Sequence, residues 1–235
     1  MKNRTTSISL YLCIRILLMV LLQGITYLLL IQKENAFELA GFYWATHITI
    51  VNLILLLMMI LIFKKRNHQY FDFFKHFNKQ NTLYFLKIFI PLVIAAMVPN
   101  ILLSILIYQD PQIGTTFLLG DIPLLFIILN ITLFPILQGI VELPFYFHFI
   151  MPQLKNKTSN KWIYIGLPIL FLSIQHAFMP LRFDIIYMIY RSLMFLPFAV
   201  CIGLLLHKKP ALLPYLIILH ILMNASLFMM YFMPN

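Results

Sequence analysis

The sequence predicts an all-α fold: a polytopic integral membrane helical bundle of about seven transmembrane helices, N-terminus inside and C-terminus outside. Three observations predict it. Hydrophobic residues make up 62% of the 235 residues and charged residues only 10%, whereas a soluble domain carries about 25% charged residues. The apolar residues gather into long stretches, each near the ~20 residues that cross a bilayer. The basic residues sit between those stretches, almost all on one side. A single membrane domain over 1–235 follows, with no room for a sizeable soluble one.

The first stretch, 7–31, follows the basic start MKNR. It is longer than a signal-peptide core and no small-x-small cleavage site follows it, so it reads as a retained span. Six more stretches follow at 39–63, 83–108, 122–150, 162–180, 185–206 and 211–232. Between the second and third, residues 70–83 (YFDFFKHFNKQNTL) mix aromatics with Lys75, His76 and Lys79. That mixture predicts an amphipathic helix on the cytoplasmic surface. Three spans therefore form an N-terminal part, 1–118, and four form a core, 119–235. The 13 prolines and 7 glycines favour kinked helices over close glycine contacts. Cys13 and Cys201 both lie in apolar runs and form neither a disulfide framework nor a metal pair.

Charge placement sets the orientation. With the N-terminus inside, Lys33 and Arg182 are the only two of the 17 Lys and Arg in outside segments. Arg15 and Arg191 lie within spans, and every other basic residue is inside. The positive-inside rule then gives N-in and C-out. The formal charge of +10 is a topology signal and an attraction to anionic lipid, which leaves no case for nucleic-acid binding.

Ionisable side chains in hydrocarbon cost about 2.5–3.5 kcal/mol on insertion scales and mark functional sites. Here they are Arg15, Glu142, Arg191, His47, His176 and His220, accompanied by amides including Gln23, Asn52, Gln138, Gln175 and Asn224. At ~1.5 Å per residue, Glu142, His176, His220, Asn224 and Arg191 all fall about 16–25 Å from the inner edge. His220 and Asn224, four apart, share a helix face. His68 and Asp72 have the same spacing in a polar loop and read as incidental. Arg15 and His47 read as structural. The plainer reading of Glu142 is a pair with Arg191 or Arg15 that holds the bundle together.

The order of these residues resembles a known family. GIVELPFYFHFIMPQL (139–154) carries Glu142, FLSIQHAFMP (171–180) carries His176, and LHILMN (219–224) carries His220 and Asn224. Together they resemble the EExxxR, FxxxH and HxxxN motifs of the CAAX-protease and bacteriocin-processing (CPBP, also called Abi) family of intramembrane proteases. The likeness covers about residues 120–230. This chain departs from the pattern at three points: Leu143 stands at the second glutamate, Phe147 or Tyr146 at the motif arginine, and Leu172 at the phenylalanine.

The resemblance implies an intramembrane endopeptidase, possible metalloprotease, acting on a membrane-associated peptide or protein, in a bacterial cell membrane. Glu142 would act as general base on a water, oriented by His176. His220 and Asn224 would donate hydrogen bonds to the oxyanion. A metal-dependent form would place Zn²⁺ on His176 and His220 with the carboxylate. Arg191 would stand in for the missing arginine or bind a substrate carboxylate. Two alternatives are a non-catalytic, bacteriocin-immunity-type membrane protein and a proton-coupled transporter, although no inverted repeat is visible.

Overall fold

A backbone in hydrocarbon must satisfy its own polar groups, and long apolar runs do so as helices. The computed structural model describes residues 3–230, with side chains from Ile8 onward. Among the described residues it is helical with no strand. The helices are α1 (Asn3–Leu29), α2 (Ala36–Phe42), α3 (Trp44–Lys65), α4 (Lys79–Tyr108), α5 (Ile113–Leu118) and α6 (Leu124–Leu143). They continue as α7 (Met151–Lys155), α8 (Lys161–Tyr164), α9 (Gly166–Ile174), α10 (Ile185–Lys208) and α11 (Leu213–Met229). Six helical stretches among the described residues are long and apolar enough to cross a membrane: α1, α3, α4, α6 with its continuation to Lys155, α10, and α11 from Pro210. Lys2 and Phe232, used in the layout above, lie outside the described residues.

The fifth apolar stretch, 162–180, is not one continuous helix. It is built from α8, α9 and a 3₁₀ turn, Gln175–Ala177. Gly166 and Pro168 interrupt its start, and a proline supplies no N–H to the turn before it. Ahead of this stretch, Gln153 of α7 accepts a hydrogen bond from Arg66, just past the end of α3. At the far end of the stretch, Leu181 N donates to Gln23 Oε1, and Gln23 Nε2 donates to Leu181 O, both at 2.8 Å. Gln23 sits near the end of α1, where Arg182 also pairs with Glu38 of α2.

Residues 70–83 are likewise not one helix. Tyr70–His76 is a 3₁₀ helix, and α4 begins at Lys79. Three residues per turn place Tyr70 and Phe73 on one face, and both are buried. Asn78 caps α4, its side chain accepting from Asn81 N at 2.9 Å, which fixes the break before Lys79. The Asp72 carboxyl is held below its usual value, chiefly by a hydrogen bond from Lys75.

In the interior, α6 packs between α3 and α11, and α10 packs against α4 and α9. Gly139 permits the α6–α11 crossing: a Cβ there would lie 2.3 Å from Ile221 Cγ1. The N-terminal and C-terminal parts of the chain share one core, since Trp44 stacks with Phe228 and meets Phe134 edge-on.

Candidate functional site

Glu142 lies in the last turn of α6 and is fully buried. Pro144 ends the regular helix and opens a π-helical segment, Pro144–Ile150, a form that recurs at functional sites. Pro144 has no N–H to donate back to the carbonyl of Ile140. Tyr70 answers that carbonyl instead, its hydroxyl donating to Ile140 O at 2.6 Å.

One oxygen of Glu142 is crowded with donors. Oε1 accepts from Gln138 Nε2 at 2.5 Å, Gln175 Nε2 at 2.7 Å and Arg15 Nη2 at 3.3 Å. The network spreads outward from there. Arg15 Nη1 donates to Asn52 Oδ1 at 3.0 Å, Asn52 Nδ2 donates to Gln138 Oε1 at 2.8 Å, and Tyr146 Oη donates to Gln175 Oε1 at 2.9 Å. Arg15, Asn52, Gln138 and Gln175 are all buried. A buried carboxylate needs a cation and donors to offset its lost hydration, and here α1, α6 and the turn after α9 supply them, with Asn52 of α3 bracing Arg15 and Gln138.

The other oxygen is different. Oε2 lies 2.7 Å from His220 Nε2, but the approach lacks hydrogen-bond alignment and neither atom has a hydrogen-bond partner. His176 borders the same space. Its Nδ1 lies 2.8 Å from Leu172 O, so Nδ1 carries a proton. Its ring stacks on Phe195 at a centroid distance of 3.5 Å. Glu142, His176 and His220 line one small cavity of about 10 Å³, closed by Leu143, Leu172 and Phe198. That is close to the volume one water needs.

A larger cavity of about 340 Å³ adjoins it, sharing His176, Phe195, Phe198 and His220. Asn224 and Arg191 line this larger space, not the small one. Asn224 is half-buried and donates one amide hydrogen to His220 O at 2.8 Å. Arg191 is not among the hydrogen-bond or ion-pair partners of Glu142. Its Nη2 donates to Met179 O at 2.9 Å and its Nη1 meets Met194 Sδ at 3.5 Å. Of the two arginines expected as partners for Glu142, Arg15 is the one that pairs with it.

The family resemblance groups Glu142, His176, His220 and Asn224 as one catalytic set; the structure gathers the first three around the small cavity and sets Asn224 on the larger one. From the sequence, Arg15 is only one of two partners for Glu142, and Gln138 and Gln175 are only polar residues in spans. Gln138 carried a usable signal, since it stands four residues before Glu142 on the same helix. His47, read as structural, hydrogen-bonds Thr26 at 2.8 Å.

Among the described residues, no three His, Cys, Asp or Glu side chains come close enough together to hold a metal ion. The guanidinium on Glu142 is also a poor neighbour for a second cation. As arranged, the donor set does not fit zinc. No family model, no curated protein and no solved structure matches this chain.

Proposed function

We propose that this chain is a divergent CPBP-like intramembrane peptidase, crossing the bilayer seven times with its N-terminus inside. The observation that carries this reading is the water-sized cavity bounded by Glu142, His176 and His220, opening beside a cavity large enough for a substrate. A water held there would meet the Glu142 carboxylate and the His176 ring. Glu142 Oε2 takes its proton as the water oxygen attacks the scissile carbonyl, and later returns that proton to the leaving amine. The free amide hydrogen of Asn224, on the rim, is available to the developing oxyanion. Arg15 supplies the positive charge that the motif arginine would bring, from another helix. The seventh passage belongs to the broken stretch 162–180.

The test is cleavage of a panel of fluorogenic apolar peptides by the purified protein in neutral detergent, with metal content measured on the same sample. Glu142→Gln is expected to lower the rate about 10²-fold or more while the protein elutes as a folded monodisperse species. Cleavage unchanged in that variant would remove the glutamate from the mechanism. One zinc per chain, lost in His176→Ala, would require a donor arrangement other than the one described.

A specific observation favours a second reading. Three donors saturate Glu142 Oε1, which is what a carboxylate holding helices together would show. On that reading the protein is a non-catalytic membrane scaffold. No peptide is then cut by the parent, and Glu142→Gln lowers thermal stability alone.

A further inference from the structure

Arg191 carries the charge that the interior does not answer. The residue is 98% removed from solvent, yet its guanidinium meets a backbone carbonyl, a thioether and the face of Phe195, 5.3 Å from the ring centroid, none of them anionic, and its Nε has no hydrogen-bond partner. Among the described residues, no carboxylate lies within ion-pair distance of it. The guanidinium borders the cavity of about 340 Å³, within the ~300–1,000 Å³ range of ligand pockets. Apart from its few polar groups the cavity wall is apolar, and Met97, Met194, Met223 and Leu227 give it a deformable surface. A buried cation facing an apolar cavity fits a ligand with one negative charge at the end of an apolar body. The planar fork suits a carboxylate.

We propose that this cavity binds the carboxylate of an extended apolar chain, with its head on Arg191 and its tail along Phe195, Met194 and Met223. Two sources share this chemistry, a fatty acid and the free C-terminus of an apolar peptide. The cavity is the one that the peptidase reading gives to substrate, so on that reading Arg191 holds the substrate's carboxylate end; the binding itself requires no hydrolysis.

Trp44 lines the cavity and provides the readout. The chain has 2 tryptophans, and the other, Trp162, is exposed, so Trp162→Phe leaves Trp44 as the only reporter. In neutral detergent, ω-bromododecanoic acid is expected to quench Trp44 saturably. The matching bromo-alcohol should bind about tenfold or more weakly, as should the acid to Arg191→Gln. Arg191→Lys should keep part of the affinity. The readout is binding alone, so it stands whichever way the cleavage assay falls. Equal quenching by acid and alcohol in the parent protein overturns the proposal without any variant having to fold. Competition then names the source. Stronger displacement by dodecanoate identifies a fatty acid, and stronger displacement by an apolar tetrapeptide acid than by its amide identifies a chain terminus.

Discussion

Arg15 and Arg191 are both buried arginines inside the bundle, and the molecule treats them in opposite ways. Arg15 is fully enclosed and is met by a carboxylate and two amides drawn from α3 and α6. Arg191 lies on a cavity wall and is met by one carbonyl, one sulfur and one aromatic face, with no carboxylate among them. A buried charge neutralised by a carboxylate is fixed in place. One without such a partner remains available to a ligand. The pair separates the part of the interior that organises the fold from the part that is open to chemistry.

The sharpest way to break this comparison is Arg15→Ala. It leaves Glu142 buried with no cation beside it, a loss of about 3–5 kcal/mol, readable as a large fall in thermal midpoint in detergent. Arg15→Met combined with Glu142→Leu should recover most of that loss, because an apolar pair of similar size replaces both charges. A single variant as stable as the parent would show that Glu142 does not depend on Arg15. The next effect tests whether the Glu142 and His220 apposition depends on helix packing. Gly139→Val drives a side chain into Ile221 and should lose about 1–3 kcal/mol. The smallest effect belongs to the other arginine. Arg191→Gln removes a charge that has no ion-pair partner, so stability measured without ligand should change by less than about 1 kcal/mol or rise. A loss as large as that of Arg15→Ala would erase the distinction.

Much of this arrangement was legible in the sequence, for identifiable reasons. Hydropathy locates the long helices because apolar length is a local property, and the depth expected of Glu142 and His220 follows from counting along α6 and α11. Which arginine reaches Glu142 is a different kind of information. Arg15 and Arg191 both sit at span depth, and only the rotation of α1 and α10 about their axes decides between them. No apolar run encodes that rotation. The fifth stretch was misread as one helix because its composition is apolar throughout, whereas Gly166 and Pro168 act on backbone geometry. The 70–83 segment was misread because its aromatics suit a helix lying on a surface. The break at Asn78 comes from a cap, and Tyr70 is drawn under the bundle by a carbonyl that Pro144 leaves open.

The close approach at Gly139 has a mechanical consequence. With Ile221 seated where a side chain would otherwise stand, α6 and α11 meet at what amounts to a pivot. It lies one turn from Glu142 and next to His220. Helices respond to thicker or thinner bilayers by tilting, and tilting about a pivot displaces the ends of the helices far more than its neighbourhood. The carboxylate and imidazole are therefore expected to keep their spacing across lipids of different chain length, while the loops at either face swing.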